Sequence, residues 1–497
     1  MSPLQLSAYW RLSLCIFFSA FFYFVDIFAA AIIASTCRHG NSTRNGTSRP
    51  SVERNHSWHK EGEEEGGGDD DPACGWTGLV PYGQTLFMVG MLLGSLVGGA
   101  ISDRYGKRPL MLVCVFLGAA SGLVPALLPQ PVLFLVVRCL MGICCCCVNM
   151  CAFSLAVEWT PTPARLWPPA FLPFCFSLGM MFAALLAWLS PTVRWLHLSL
   201  ALPQVTCLPL FVSIPESPSW LLAKRRMHVL DRYRGNSAED KRHLDLLLDL
   251  AWPLSPPSPG GPALSDHAPF RHPTILLRLC IMSYLSAVTA MTYFGICLNI
   301  DSFGVGVYTA QFFSGLSEVP CLLVPLVRLG RRPISMLTLL LSGAACFLSL
   351  LLSRHNDVHL VLVLSLALLG KLCILAASFV FVLYGIELFP TVVRQRCLSI
   401  VNLCFRIGSL FNYLFKSTGQ ISLVAMVAYS SGPIIGCGLC LLLPETSCVP
   451  LPDSVEDCDS QPLTLIRSGL CGASNQTRTA KPPPAERDDT HTPDAQC

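Results

Sequence analysis

A short polar turn between two long apolar runs reads Asp103-Arg104-Tyr105-Gly106-Lys107-Arg108-Pro109. A second turn, Leu329-Gly330-Arg331-Arg332-Pro333, joins two further apolar runs in the second half of the chain. Glycine permits a tight turn, and basic residues beside membrane spans favour the cytosolic side. The two turns therefore predict a membrane protein with an internal repeat whose basic turns face the cytosol.

A second landmark follows each turn in the same order along the chain. Glu158 and Arg165 end one run of the first half, and Glu387 and Arg394 stand at the matching place of the second half. Matched landmarks in matching order indicate the parallel repeats that some transporters carry. We expect these charges and those of the first turn to gate the cytosolic side; simple anchoring of helix ends is the alternative. The predicted gating residues are Asp103, Arg104, Lys107, Arg108, Glu158, Arg165, Glu387 and Arg394.

The composition is that of a membrane protein. Charged residues make up 13% of the chain, against roughly 25% in soluble domains, hydrophobic residues make up 52%, and the mean hydropathy is +0.54. These values argue against a soluble enzyme and a disordered chain, and the net charge of +3 argues against a nucleic-acid partner. The 25 cysteines lie mostly in apolar runs without metal-ligand spacing. We expect no metal, no cofactor, no ATP and no enzyme activity.

Twelve apolar runs are long enough to span a bilayer, which needs about 20 mostly apolar residues. Basic residues follow runs 2, 4, 6, 8 and 10, so the positive-inside rule places both termini in the cytosol. The sequence thus predicts an all-α membrane protein of 12 transmembrane helices in two six-helix halves, 1–213 and 273–443, with a cytosolic linker at 214–272 and a disordered cytosolic tail at 444–497. The runs cover 9–35, 81–101, 109–128, 131–156, 168–189, 193–213, 274–297, 303–327, 333–353, 358–386, 397–416 and 421–443.

The predicted outer loop, residues 37–80, carries three glycosylation sequons. A polar loop can contain sequons by chance, but three so close together favour a loop that carries glycans. Cys37 and Cys74 bracket the loop and could form a disulfide in an oxidising compartment. We expect a multi-pass protein of the plasma membrane. The sequon asparagines are Asn41, Asn45 and Asn55.

Five ionisable residues interrupt the apolar runs: Asp26, Arg138, Glu318, Lys371 and Arg406. Each costs about 2.5–3.5 kcal/mol on the insertion scale, so each indicates a specific role. We expect Arg138 to lock helices together and Asp26 to pair with a basic residue across the bundle. Lys371 is either structural or turned to the substrate, and Glu318 is expected in an irregular stretch that faces a cavity.

Longer motifs accompany these charges: Gly90-Met91-Leu92-Leu93-Gly94, Pro215-Glu216-Ser217-Pro218-Ser219-Trp220-Leu221, Tyr293-Phe294-Gly295, Gly370-Lys371 and Tyr384-Gly385-Ile386-Glu387-Leu388-Phe389-Pro390-Thr391-Val392-Val393-Arg394. Together with the first turn they resemble solute carrier family 22, the organic cation, anion and zwitterion transporters of the major facilitator superfamily. The resemblance covers residues 80–443. It implies the fold of that superfamily and transport of organic ions.

The resemblance also implies a role for Arg406 in substrate binding. By its spacing from 387–390, it stands where anion transporters of the family carry arginine and cation transporters carry aspartate. A guanidinium offers a fork for a carboxylate or sulfate; the alternative is an internal ion pair with Glu318 or Asp26. Aromatic residues could complete a cavity for flat organic ions. The predicted substrate-binding residues are Arg406, Lys371, Tyr293, Phe294, Phe381, Tyr384, Glu318 and Asp26.

Three functions fit this sequence. The first is a transporter of small organic ions, with anions preferred, that works by alternating access. The second is a non-transporting receptor on the same fold, and the third is an organic cation carrier that uses Asp26 and Glu318. Leu322 stands where anion carriers of the family have lysine, and Ser219 replaces an arginine. These two departures favour the receptor, whereas the gate residues and Arg406 favour the transporter. The expected partners are a small organic ion and the lipid bilayer.

Overall fold

The computed structural model describes residues 3–45, 80–128, 130–160, 167–234, 241, 245, 272–298, 306–321, 330–353, 360–412 and 423–446. Within these ranges the regular structure is helical and contains no strand, which confirms the all-α prediction. The first half contributes α1 (Pro3–Tyr23), α2 (Val25–Asn45), α3 (Val80–Tyr105), α4 (Lys107–Leu127), α5 (Pro131–Glu158), α6 (Trp167–Leu189) and α7 (Val193–Val212). Two short helices follow, α8 (Pro218–Ala223) and α9 (Met227–Arg234). The second half contributes α10 (Pro273–Leu298), α11 (Val307–Leu316), α12 (Arg331–Leu352), α13 (Leu360–Leu388), α14 (Thr391–Phe411) and α15 (Leu423–Cys440).

Each of the twelve predicted runs corresponds to a helix, with α1 and α2 forming the first run together. In the described part of the chain, nine helical segments are long and apolar enough to cross a bilayer. The other three runs fall short for identifiable reasons. Ten residues of α11 are described as helix, α14 carries three arginines, and the apolar part of α15 covers only Val427–Cys440.

Small residues let neighbouring helices pack backbone to backbone. A Cβ atom on Gly90 of α3 would lie 2.1 Å from the carbonyl oxygen of Cys139 in α5. A Cβ on Gly408 of α14 would lie 2.1 Å from the carbonyl oxygen of Ala287 in α10. Close approach of this kind is how helices associate in lipid, where burial of apolar side chains gives little net gain. Both contacts fix helices that carry buried charges.

The first run is broken at Phe24, between α1 and α2, although no proline or glycine lies nearby. A break frees backbone carbonyls, which need new partners in the membrane interior. Arg138 Nη1 and Nη2 both donate to the Phe22 carbonyl at 3.2 Å, and Gln84 Nε2 donates to the Tyr23 carbonyl at 2.9 Å. Side chains of α3 and α5 therefore stabilise the break.

The two halves meet along two helix pairs. α6 packs against α11, and α3 packs against α14. The internal repeat matches α3 with α11 and α6 with α14. The α6–α11 contact and the α3–α14 contact are therefore equivalent under the repeat. A third contact joins the halves where Phe28 of α2 stacks on Tyr308 of α11, with ring centroids 5.9 Å apart and an interplanar angle of 5°. Residues near these contacts are therefore close to both halves.

Candidate functional site

The first half contains a buried ion pair beside the break between α1 and α2. Arg138 Nη2 lies 2.6 Å from Asp26 Oδ2, and the two side chains are 0% and 2% exposed. The guanidinium also lies 4.6 Å from the Phe87 ring centroid. Asp26, Arg138 and Phe87 come from α2, α5 and α3, so the pair links three helices of one half. Arg138 has the helix-locking position that we expected, and Asp26 meets its basic partner within its own half.

The second half contains another buried ion pair. Lys371 Nζ of α13 lies 2.6 Å from Glu318 Oε1, which follows α11 in a single helical turn. Tyr293 of α10 donates its hydroxyl to the same oxygen at 2.8 Å. Ser177 of α6 donates to Glu318 Oε2, and Lys371 also bonds the hydroxyl and carbonyl of Ser314. We call these five residues the Glu318 cluster. It joins the halves, because Ser177 belongs to the first half and the other four to the second.

Arg406 is the third cation of the membrane interior, and it lies in α14 beside α3 of the other half. Its predicted alternative partners were Asp26 and Glu318, but these carboxylates are bound to Arg138 and Lys371. Among the described residues, no carboxylate lies within ion-pair distance of Arg406, and its Nε has no hydrogen-bond partner. The side chain is only 9% exposed. A buried cation without a counterion is costly, so this arrangement suits an anionic ligand.

Polar groups of the first half surround the Arg406 guanidinium. The Tyr23 hydroxyl, at the end of α1, interacts with the Arg406 guanidinium. Asn149 Nδ2 donates to that hydroxyl at 2.8 Å, and Ser19 donates to Asn149 Oδ1 at 3.0 Å. The Tyr23 oxygen therefore accepts from Asn149, which leaves its O–H free to donate to a ligand. Arg406 and Tyr23 together offer an anion several donors, one set from each half.

Aromatic rings line both sides of this position. Tyr23 packs against Phe87 and Phe176, with ring centroids 5.3 and 5.1 Å apart. On the other side, the Arg406 guanidinium lies 5.6 Å from the Phe405 ring. The rings of Tyr293, Phe294 and Phe405 continue in edge contact, at 5.2 and 6.4 Å, towards the Glu318 cluster. The predicted Tyr293 and Phe294 thus connect Arg406 with Lys371.

Two other predicted aromatic residues have different surroundings. Phe381 of α13 belongs to the same large buried core as Tyr293 and Phe294. The Tyr384 hydroxyl donates to the carbonyl oxygen of Pro444, close to the end of α13 at Leu388. The structure therefore brings six of the eight predicted substrate-binding residues into the charged interior or its aromatic bridge. It places Tyr384 with the helix-end charges described next.

A polar cluster lies at the predicted cytosolic end of the first half. Glu158, at the end of α5, accepts from Lys107 Nζ and from the Ser217 hydroxyl. Glu216 accepts the backbone N–H groups of Lys107 and Arg108 at 3.2 and 3.1 Å, so it binds the N-terminus of α4. We call Lys107, Glu158, Glu216 and Ser217 the first end network. It ties α4 and α5 to the segment after α7.

The second half repeats this cluster. Glu387, at the end of α13, pairs with Arg331 at 3.3 Å and accepts from the Thr446 hydroxyl at 2.6 Å. Glu445 accepts the backbone N–H groups of Arg331 and Arg332 at 2.8 and 3.1 Å, at the N-terminus of α12. The second end network thus consists of Arg331, Glu387, Glu445 and Thr446. Glutamate and hydroxyl are 59 residues apart in both networks.

Both turns bring a glycine close to a glutamate carboxylate. A Cβ on Gly106 would lie 2.6 Å from Glu216 Oε2, and a Cβ on Gly330 would lie 2.5 Å from Glu445 Oε2. Gly106 also has φ +106°, a conformation that other residues rarely adopt, whereas Gly330 has φ −59°. The two turns therefore admit a carboxylate at the same place but with different backbone conformations.

The remaining predicted gate residues have other surroundings. Arg394 Nε donates to the Phe389 carbonyl at 3.1 Å, and Arg108 Nη2 donates to the Val212 carbonyl at 2.7 Å. The Asp103 carbonyl accepts from Trp220, and Arg104 lies over the Tyr105 ring. The outcomes for several predicted residues fall outside the described part of the chain. These are Arg165, Asn55, Cys74, Leu322 and the side chains of Cys37, Asn41 and Asn45, although α2 extends through Asn45.

Sequence reasoning missed the roles of four residues: Glu216, Ser217, Glu445 and Thr446. The signal was present, because Pro215-Glu216-Ser217 and Pro444-Glu445-Thr446 are nearly the same tripeptide. Both tripeptides follow the last helix of a half. Glu216 lies 58 residues beyond Glu158, and Glu445 lies 58 residues beyond Glu387. An internal comparison of the two halves finds both tripeptides, whereas the family resemblance points only to the first.

Comparison with known proteins agrees with this geometry. Residues 12–413 match the Major Facilitator Superfamily. The chain is 32% identical over 403 residues to organic anion transporter 3 of Oryctolagus cuniculus, covering 78% of this chain and 73% of that relative. It is 31% identical over 396 residues to solute carrier family 22 member 6 of Pseudopleuronectes americanus, covering 77% and 70%.

Solved structures show the same fold at lower identity. The inward open conformation of the xylose transporter XylE from E. coli superimposes with a TM-score of 0.60 at 17% identity, covering 91% of this chain and 99% of that one. This likeness concerns the fold alone. It confirms the predicted major facilitator fold of two six-helix halves, and the family match and the relatives confirm the predicted family. The chain belongs to solute carrier family 22 of the major facilitator superfamily.

Proposed function

We propose that this protein carries small organic anions across a membrane by alternating access and that Arg406 binds the anionic group. The observation that carries the proposal is a buried arginine between the halves with no carboxylate at ion-pair distance among the described residues. The names of the relatives, organic anion transporter 3 among them, support the same substrate class. An anion that enters the site compensates the Arg406 charge and gains charge-assisted hydrogen bonds.

The surroundings of Arg406 suit a flat organic anion. A planar guanidinium binds a carboxylate through two parallel hydrogen bonds, and the Tyr23 hydroxyl adds a donor from the opposite half. The rings of Phe176 and Phe405 offer faces for the apolar body of the ligand. Because Arg406 and Tyr23 lie on different halves, a bound anion draws the two halves together over the site.

The end networks fit a role in the conformational cycle. Each network binds the helix ends of one half to each other at the predicted cytosolic side, where the two halves move apart during rocking. Within this proposal, the two networks rearrange when the cytosolic side opens and re-form when it closes. The stacked Phe28 and Tyr308 rings join the halves at the opposite ends of the helices and would separate when the outer side opens.

The alternatives are less well supported by the contacts. A cation carrier needs a carboxylate that can meet the substrate, but Asp26 and Glu318 are held by Arg138 and Lys371. A receptor does not need duplicated charge networks at its helix ends. Both complete networks, with their matching spacing, therefore argue for transport.

The proposed topology places both termini in the cytosol and the sequons of the outer loop outside the plasma membrane. Glycosidase treatment should lower the apparent mass of the wild type and leave a variant with Asn41, Asn45 and Asn55 all replaced by Gln unchanged. A mass shift that persists in this variant contradicts the proposed outer loop.

The decisive test of function is uptake of labelled benzoate and of a labelled aromatic cation of similar size. Wild type should take up benzoate, and Arg406→Asp at equal surface level should lose benzoate uptake because the anion then meets a like charge. Arg225→Asp is the matched control, since Arg225 is exposed in the linker, and it should transport like wild type. If wild type takes up neither ion, the transporter proposal fails and the receptor gains support. Benzoate uptake that persists in Arg406→Asp removes Arg406 from the site.

A further inference from the structure

The Glu318 cluster is a carboxylate-binding site that the protein fills with its own side chain. Lys371, Tyr293 and Ser177 all direct donors at the Glu318 oxygens. These donors stand on α13, α10 and α6, so both halves contribute to the site. Glu318 and Lys371 are 3% and 0% exposed. A carboxylate held this closely neutralises the lysine beside it.

Lys371 has no donor left for a second anion. An ammonium group offers three N–H bonds. Lys371 Nζ lies 2.6 Å from Glu318 Oε1 and 3.3 Å from the Ser314 carbonyl, and it also bonds the Ser314 hydroxyl. These contacts use all three donors. While Glu318 stays charged and in place, Lys371 cannot anchor a substrate carboxylate.

The charges of the membrane interior leave one cation uncompensated. Outside the two end networks, the described residues include three buried cations, Arg138, Lys371 and Arg406, and two buried carboxylates, Asp26 and Glu318. Arg278 is also buried, but it lies beside the end of α13, where its Nη1 donates to the Leu388 carbonyl. Asp26 balances Arg138, Glu318 balances Lys371, and Arg406 remains. In surroundings of low dielectric constant, an uncompensated charge is costly, whether it belongs to the protein or to the ligand. A ligand with one negative charge completes the balance, whereas a second negative charge would have no partner.

We infer, on the basis of the proposed anion transport, that Glu318 is a specificity-determining residue which restricts the substrate to organic anions with a single negative charge. Loss of the Glu318 charge converts Lys371 into a second anchor. The rings of Tyr293, Phe294 and Phe405 form a continuous series of contacts from that anchor to Arg406, so the two cations lie at the two ends of one aromatic path. Glu318 therefore decides between monovalent and divalent anions.

The test compares two labelled ligands with the same ring, benzoate with one carboxylate and terephthalate with two. Uptake of both is measured at neutral pH in cells that express wild type, Glu318→Gln, Glu318→Asp or the double variant Glu318→Gln/Lys371→Gln, each normalised to its surface level. Wild type should favour benzoate. Glu318→Gln should raise the terephthalate-to-benzoate ratio by about tenfold or more, because Lys371 gains a charged ligand as partner.

The other two variants separate charge from shape. Glu318→Asp keeps the internal carboxylate and should keep the wild-type ratio. The double variant removes one negative and one positive charge, so it should return the ratio of Glu318→Gln to the wild-type value. A ratio that stays high in the double variant shows that altered shape, and not the freed lysine, admits terephthalate, and this overturns the inference.

The wild type provides a test that needs no variant. Comparable uptake of terephthalate and benzoate by wild type overturns the inference but leaves the proposed anion transport intact. Uptake of neither ligand overturns the proposed function and the inference with it. If Glu318→Gln does not reach the surface, the wild-type ratio and the double variant decide, and preference for benzoate in both supports the charge balance.

Discussion

The two halves of this transporter are alike at their predicted cytosolic ends and unlike in the membrane interior. Each end has a glutamate bound to a basic residue and to a hydroxyl, and a second glutamate bound to a helix N-terminus. Among the described residues of the interior, the first half pairs Arg138 with Asp26, whereas the second half contributes Lys371, Glu318 and Arg406, which has no carboxylate at ion-pair distance in that part of the chain. We propose that the duplicated networks serve the motion that both halves share and that the unduplicated Arg406 serves the ligand.

The largest expected effect comes from the paired cation of the first half. Arg138→Met leaves Asp26 buried without its partner and also removes the donors to the Phe22 carbonyl at the helix break. Loss of one partner of a buried ion pair typically costs about 3–5 kcal/mol. We expect a strong fall in the thermal stability of the purified protein in detergent and in its surface level. Arg406→Met leaves no described carboxylate without its cation, so it should lower thermal stability and surface level much less than Arg138→Met. Equal losses of stability in the two variants would contradict the contrast between the paired and the uncompensated cation.

The duplicated networks should respond alike to matching changes. Glu158→Gln and Glu387→Gln each remove the charge that holds a basic residue, Lys107 or Arg331, while the hydroxyl contact can persist. We expect each to lower the maximal rate of benzoate uptake several-fold with a smaller change in half-saturating concentration, because the networks do not contact the ligand. Cysteine-accessibility labelling of interior positions should change in both variants. Unchanged labelling in both would show that the networks only anchor helix ends.

A smaller effect should distinguish the two turns. Gly106→Ala and Gly330→Ala both push a Cβ against a glutamate oxygen, but only Gly106 has positive φ. The Gly106 backbone, with φ 106° and ψ 155°, lies in a region nearly restricted to glycine that costs another residue about 1–3 kcal/mol, so Gly106→Ala should be less stable than Gly330→Ala by about that amount. Thermal unfolding of the two purified variants measures the difference. Equal stabilities would mean that the first turn relaxes at no cost.

Much of the fold could be predicted from the sequence, since apolar runs, basic connections and repeated landmarks depend on local composition. The five interior charges were also visible, because any ionisable residue in an apolar run stands out. Their pairing was not. Which of three cations meets Asp26 or Glu318 depends on how helices far apart in sequence pack, and Arg138 meets Asp26 next to a helix break at Phe24 that no proline or glycine marks in the sequence.

The end networks show the same limit in another form. Glu158 was expected to form a gate with Arg165 and with the basic residues of the first turn. Lys107 of that turn contacts Glu158, and Arg165 lies outside the described residues. The contact of Glu158 with Ser217, 59 residues further along the chain, was not predicted. Contacts of this kind follow from helix ends meeting at one face of the membrane. Only the internal repeat, with Pro-Glu-Ser after one half and Pro-Glu-Thr after the other, could have revealed them beforehand.

The central claim is that Arg406 holds the anionic group of the substrate. Equilibrium binding of labelled benzoate to purified protein in lipid nanodiscs tests it directly, since binding does not require the conformational cycle. Arg406→Gln should weaken benzoate binding by about ten- to a hundredfold, the loss expected for a charged hydrogen bond. Arg406→Lys should bind benzoate with intermediate affinity, because lysine keeps the positive charge but lacks the paired donors of the planar guanidinium. Arg225→Gln, in the linker, should bind like wild type. Unchanged benzoate affinity in an Arg406→Gln preparation that is fully folded would contradict this role of Arg406.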